Sequence, residues 1–157
     1  MNKSQISNTT AQKAEFLIRE NIRGFDLSLK TTWGLFSCAG QVWFIDRDVV
    51  ALEYAKINCA HNNIEDFKVI ASNGFESAGD EKFDLIVSNL PTHTANDMIE
   101  WLISESEKHL NPGGELWVVT VNALKQFMES GLKKTFGNYE LVIKNSTHAV
   151  AKSRKTG

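Results

Sequence analysis

Two apolar runs constrain this chain more than anything else in it. Val42-Trp43-Phe44-Ile45 ends in Asp46, and Phe83-Asp84-Leu85-Ile86-Val87-Ser88 ends in Asn89. The first is unbroken, as in a strand covered by helices on both faces of a parallel sheet. Helical spacing follows each run. Behind Asp48, an N-cap residue by type, Val49, Leu52, Ala55 and Cys59 recur on one helix face, and Asn62-Asn63 closes the helix. From Asn96 to about Leu110 the pattern predicts a second helix burying Met98, Ile99, Leu102, Ile103 and Leu110. Asn111-Pro112-Gly113-Gly114 ends it. Further strands are predicted from Phe67 to Ala71 and from Leu116 to Val121. Leu124, Phe127, Met128 and Leu132 stripe another helix. Tyr139 to Ile143 and His148 to Ala151 read as a closing hairpin around Asn145-Ser146. Strands alternating with helices in this way imply βαβ units, hence an α/β fold of three layers on a mostly parallel sheet.

The N-terminal part is less regular. The first ten residues carry no periodicity and read as a frayed arm. Phe16, Leu17, Ile18 and Ile22 suit a short helix ended by Gly24. Phe25, Leu27, Leu29 and Thr31 then alternate with polar residues, as in a half-buried strand. Trp33-Gly34-Leu35-Phe36 continues it after a break. The predicted division is an arm and short helix over 1–23 and one domain over 24–157.

Composition excludes several classes. A chain of 157 residues, 42% apolar and 23% charged, has enough to bury for one globular domain and does not match a disordered chain. Its net charge of −2 argues against polyanion binding by bulk charge and leaves a local basic patch open. No apolar run approaches a membrane span, and the polar start MNKSQISNTT does not resemble a signal peptide. Cys38 and Cys59 have no metal-ligand spacing, and no pair of histidines has it either. Two free thiols in a reducing cytoplasm, with no metal, is the expectation.

In open α/β sheets ligands collect at the carboxyl ends of the strands. Asp46, Asn73 and Asn89 fall at three such ends. A carboxylate at Asp46 can accept both hydroxyls of a ribose; it can equally cap the next helix by accepting a backbone amide. Asn89 opens Asn89-Leu90-Pro91-Thr92-His93. Its amide oxygen beside a proline-stiffened carbonyl makes a rigid acceptor pair for an exocyclic amine. Asn89 capping its own turn is the structural alternative. His61, His93, His109 and His148 read as ordinary exposed histidines. The basic tail Lys152, Ser153, Arg154, Lys155 reads as a solvated terminus. Neither a nucleophile elbow nor a Walker-type glycine loop is present.

Phe83 to His93 resembles the F-D-L-I-x-S-N-P-P-F-H segment of class I S-adenosylmethionine-dependent methyltransferases. It is most similar to the small-domain enzymes that methylate the exocyclic N2 of guanine in ribosomal RNA. Trp33-Gly34-Leu35-Phe36-Ser37 is similar to the P-G-V-F-S that precedes their core. Ser72-Asn73-Gly74-Phe75 is similar to the turn after their third strand, and Leu110 to Leu116 to their loop into the fifth. The resemblance implies a Rossmann-like methyltransferase fold, shortened in its N-terminal half, with S-adenosylmethionine as cofactor and RNA as partner. It implies that Asp46 holds the ribose, that Asn73 lies near the adenine, and that Asn89 and Pro91 orient the amine. Whether such a chain is an enzyme stays open beside a second reading, an inactive methyltransferase-like fold that binds RNA or protein.

Two departures shape the expectations. The family's glycine-rich loop after its first strand is missing: the chain passes from Ser37 through Cys38-Ala39-Gly40 straight to Val42. Thr92 stands where an aromatic would stack on the base, a loss of about 1–3 kcal/mol. The first departure predicts weak cofactor binding and a gap at the centre of the sheet. Three repairs are open: direct pairing of Val42–Asp46 with Phe83–Ser88, insertion of Phe25 to Phe36 as a surrogate strand, or a strand borrowed from a second copy. Continuous apolar runs favour the first, which would narrow the crevice between Asp46 and Asn89.

Overall fold

The computed structural model describes residues 33–36, 41–61, 65–90 and 95–157; of 33–36 and of His61 it describes the backbone. The elements are β1 (Trp33–Phe36), β2 (Val42–Asp46), α1 (Val49–His61), β3 (Phe67–Ala71), β4 (Phe83–Asn89), α2 (Asn96–His109), β5 (Leu110–Val121), a short 3-10 turn (Asn122–Leu124), α3 (Lys125–Phe136), β6 (Glu140–Lys144) and β7 (His148–Arg154). The expected arm, first helix and strand over residues 1–31 lie outside the described residues, as do Cys38, Gly40, Pro91, Thr92 and His93.

One seven-stranded sheet has the order β3-β2-β1-β4-β5-β7-β6. β2 with β3 and β4 with β5 are parallel, whereas β7 is antiparallel to both β5 and β6. The expected direct pairing of β2 with β4 does not occur. β1 lies between them, antiparallel to both, with Gly34 opposite Phe44 on one side and Val87 on the other. The second of the three repairs is therefore the one found, carried by Trp33–Phe36. With β1 in place, the inner edges of both β2 and β4 are hydrogen-bonded.

The core follows from strand alternation. Trp43, Ile45, Ile86, Leu116, Val118 and Ala151 share one face with Ile99, Leu102 and Ile103 of α2 and Met128, Leu132 and Phe136 of α3. α1 packs on β2 and β3 with Ala51, Leu52, Ala55 and Cys59 buried outside that cluster, making the third layer. Val49, expected on the buried face, is 62% exposed: it opens the helix on the solvent side. Local signals behave as residue chemistry dictates. The Asp48 carboxylate accepts from the Val50 amide (2.9 Å) and caps α1. Gly137, at φ +72°, ends α3 with its amide on the Lys133 carbonyl. Asn145 Oδ1 accepts from the amides of Thr147 and His148, which fixes the β6–β7 turn.

Two expectations fail for tertiary reasons. His109 is buried, stacked on Phe75 at 4.6 Å, with Nδ1 2.9 Å from the Glu81 carbonyl oxygen. The tail is not a solvated terminus: Lys152, Ser153 and Arg154 belong to β7, and Lys155 exchanges backbone hydrogen bonds with Gly113 and Gly114.

Candidate functional site

Strand register places the sequence-nominated residues. Phe44 and Val87 both face Gly34, so Asp46 and Asn89, two residues further along parallel strands, stand level with each other. With β1 between them they are two strand spacings apart, about 10 Å. Ala71 is the neighbour of Asp46 on one side and Val119 that of Asn89 on the other. By alternation, Asp46 and Asn89 also lie on the same face, the one that α1 covers over β2 and β3. β1 thus separates the two strand ends, where direct pairing would have set them side by side.

Asp46 is 4% exposed. Its Oδ1 accepts from the Asp48 amide (2.9 Å), and its carbonyl accepts from the Ser72 amide (2.9 Å), tying the ends of β2 and β3. Its Oδ2 is buried and has no hydrogen-bond partner among the described residues. Burial pushes the carboxyl above its usual value, against the backbone amides of Asp48 and Arg47 that pull it down. One oxygen is thus taken up by the turn into α1, and the other has no donor among the described residues. A buried carboxylate oxygen without a donor is costly, and a ribose hydroxyl is a donor of the right kind to relieve it. The donor requirement of a nucleoside cofactor fits Asp46 on that ground.

Asn89 is half-buried at the end of β4. The Leu90 amide donates to the Val119 carbonyl (3.0 Å), so the backbone leaving Asn89 is anchored to β5. Its side chain makes no hydrogen bond among the described residues and caps nothing there. Asn73 is exposed, and its Nδ2 donates to Glu76 Oε1 (3.2 Å). The adjacent Gly74 has φ +58°, and a Cβ there would lie 2.8 Å from the Trp101 ring, so the turn after β3 is held against α2. Pro91 lies outside the described residues.

The direction of β1 bears on the missing glycine loop. A first strand running parallel to β2 would end beside Asp46 and present its following loop to a ligand there. β1 runs the other way: Phe36, its last residue, faces Val42 and Leu85 at the opposite edge of the sheet. No glycine-rich connection follows a strand at the Asp46 edge among the described residues.

Asn122 was not singled out from sequence. It follows β5 at the same edge, with its Nδ2 donating to the Asn145 carbonyl (3.1 Å) and its Oδ1 buried without a partner among the described residues. The available signal was position: a polar residue directly after an apolar strand. Among the described residues no group of His, Cys, Asp and Glu could hold a metal ion, and no helix is long and apolar enough to cross a membrane.

Comparison with known proteins agrees with this architecture. The ribosomal RNA small subunit methyltransferase C of Actinobacillus pleuropneumoniae serotype 3 (strain JL03) is 38% identical over 109 residues, 67% of this chain and 32% of that protein. The chain thus spans about a third of the length of the curated relatives it matches. Among solved structures, the T. thermophilus 16S rRNA N2 G1207 methyltransferase (RsmC), in complex with AdoMet and guanosine, superposes with a TM-score of 0.63. The two are 22% identical, over 72% of this chain and 31% of that one. A ribosomal protein L11 methylase from Lactobacillus delbrueckii subsp. bulgaricus gives 0.58 at 23% identity, over 72% and 57%. The fold is that of the Rossmann-like methyltransferases. The family model of the methyltransferase small domain matches residues 31–152, and the chain belongs to that family.

Proposed function

We propose that this chain supplies the methyl-transfer half of an S-adenosylmethionine-dependent methyltransferase acting on the exocyclic N2 of guanine in ribosomal RNA, in the cytoplasm. The observation that carries the reading is the placement of Asp46 and Asn89: level, on one face, at the carboxyl edge, with one strand between them, Asp46 Oδ2 without a donor among the described residues. The names of the curated relatives and the ligands of the T. thermophilus neighbour support the choice of cofactor and base. The cofactor, when bound, supplies an electrophilic methyl group. Asp46 Oδ2 would accept a ribose hydroxyl, and Asn73 would border the adenine. The Asn89 amide oxygen, with the backbone carbonyl beside Pro91, would accept the two N2 hydrogens of guanine. Holding both hydrogens turns the nitrogen lone pair toward the donor, a gain from orientation rather than from acid–base chemistry.

One observation favours the binding-module reading: β1 is antiparallel, so its end offers no bare backbone to the cofactor. Calorimetry separates the two. We expect S-adenosylmethionine to bind this chain with a dissociation constant of about 1 mM, about −4 kcal/mol. Asp46→Ala should abolish that heat. No heat from the unaltered chain, with no methyl transfer to a ribosomal RNA fragment, would leave only the binding module. A micromolar constant would show that a substitute loop cradles the methionine end.

A further inference from the structure

Charge is unevenly divided along this chain. Residues 122–157 hold seven lysines and arginines against two acidic residues, in a protein whose net charge is −2. The fold sorts these seven cations by edge. Five of them engage acidic partners: Lys133 with Glu129 (2.7 Å), Lys134 with Glu100 (3.4 Å), Lys152 with Glu140 (3.3 Å), Arg154 with Glu115 (2.8 Å) and Lys155 with Glu107 (3.3 Å). α3 runs away from the carboxyl edge, and β7 ends at the amino edge. All five therefore sit in the middle of the sheet or toward its amino edge, and a polyanion there would have to displace a carboxylate for each contact.

The other two, Lys125 and Lys144, have no ion pair within 4 Å among the described residues, although Glu129, one turn along α3 and already paired with Lys133, feels the charge of Lys125. Both are at the carboxyl edge. Lys144 ends β6, opposite Ala149, which in turn faces Thr120 of β5. Lys125 opens α3 three residues after Asn122. Asn122 clamps the two places together, its amide on the Thr147 carbonyl (2.9 Å) and its side chain on the Asn145 carbonyl (3.1 Å). Lys144 is exposed and Lys125 half-buried. The acidic residue of the first turn of α2, Asp97, is the carboxylate that begins the neighbouring helix at that edge. Asn89 lies three strands from Lys144, about 14 Å at ordinary strand spacing, and by alternation on the other face, so a nucleic acid reaching both passes over the carboxyl edge itself.

We propose that Lys125 and Lys144 form a backbone-contact site that holds two RNA phosphates flanking the target guanosine, on the β5–β6 side of Asn89. The site rests on the RNA reading given above. It fixes the polarity of that reading: the strand crosses the β6–β7 turn and the start of α3, not the basic C-terminal tail. Phosphate contacts of this kind position the nucleic acid without reading its sequence.

The test is a salt titration of RNA affinity by fluorescence anisotropy, using a labelled single-stranded RNA with one guanosine. The proteins are the unaltered chain, the double variant Lys125→Gln with Lys144→Gln, and the double variant Lys152→Gln with Lys155→Gln. Losing two single-strand phosphate contacts should flatten the slope of log affinity against log salt by about 1.4. The first double variant should show that change with an unaltered thermal melt; the second should keep the slope of the unaltered chain. An unaltered slope in the first variant, or equal flattening in both, overturns this site and leaves RNA binding standing. If the unaltered chain fails to bind RNA at low salt, the RNA reading falls with it.

Discussion

The two edges of the sheet are built to different rules. At the amino edge polar groups find one another. Gln41 bridges Trp43 and Asp66, Asn111 donates to Asp84, and Arg154 and Trp117 both donate to Glu115. Asp84 Oδ2 and the Tyr139 hydroxyl are the exceptions, buried and unpartnered. The carboxyl edge has its paired groups too, Asn73 on Glu76 and Asn145 on the amides of Thr147 and His148, but it holds more of the buried atoms without a hydrogen-bond partner among the described residues: Asp46 Oδ2, Ser88 Oγ, Thr120 Oγ1 and Asn122 Oδ1. A folded chain retains unpaired polar groups at a stability cost of about 1–3 kcal/mol for each one buried. The edge that holds more of them is the one where α/β proteins take ligands, in keeping with the proposed site.

Three substitutions test the difference between the two edges. The largest effect is expected from Asn89→Ala. On the proposed reading methyl transfer to RNA should fall at least 100-fold, while thermal stability changes by no more than about 1 kcal/mol, because the amide would serve orientation and makes no hydrogen bond among the described residues. Undiminished transfer by a folded Asn89→Ala protein would return Asn89 to the role of a turn residue.

Glu115→Gln probes the other edge. Burial pushes the Glu115 carboxyl up, but hydrogen bonds from Trp117 and Arg154, with the nearby charges of Lys152 and Arg154, bring it below its usual value. A group depressed on folding adds stability above its unfolded value near pH 4.5 and loses it as pH falls through its folded value. The variant should therefore be less stable by about 1–2 kcal/mol at pH 7. The difference should fade on acidification, with transfer activity untouched. Urea melts at pH 7 and pH 3 would show it; an equal difference at both would assign the effect to packing.

The smallest effect, and the opposite sign, belongs to Asp46→Asn. Its carboxyl is raised by burial, so the folded protein holds that proton more tightly than the unfolded chain. The resulting penalty is absent below pH 3.8 and grows as pH rises through the folded value. Removing the charge should stabilise the protein at pH 7 by about 1 kcal/mol, the scale of one relieved buried polar group. Cofactor affinity should drop in the same variant. A destabilised Asp46→Asn protein would mean that the carboxylate is there for the fold.

Much of this contrast was legible before any coordinates. The strands at Val42–Asp46 and Phe83–Asn89 and the helices after them follow from periodicity, because burial on both faces leaves no other use for such runs. The nominated trio fell at strand ends for the same reason. Sheet closure was misread because apolar continuity says that a strand is central and not which strand is beside it. Trp33–Phe36 is too short to carry a period, and its reversed direction has no sequence signature. Hairpin partners can lie on any strand with matching spacing, so only register could place them. His109 was misread because its neighbour Phe75 is far away in sequence, and a stacking contact of that range leaves no local pattern.

The short central strand has a consequence for cooperativity. β1 reaches β4 through Gly34, Leu35 and Phe36 alone, whereas β5 and β7 are laddered along seven residues from Glu115 to Val121. The sheet is therefore two panels joined by a short backbone ladder and by side-chain packing, Trp43 edge-on to Phe83 at 5.3 Å and Phe75 stacked on His109. One panel, β3-β2 with α1, carries Asp46; the other, β4 through β6 with α2 and α3, carries Asn89. Opening that parts the panels has to break both this ladder and the packing across it. A ligand that touches both panels binds only the joined form and favours it by mass action. Substrate and cofactor held together would then act as a clasp, fastening the two panels that the reversed strand joins.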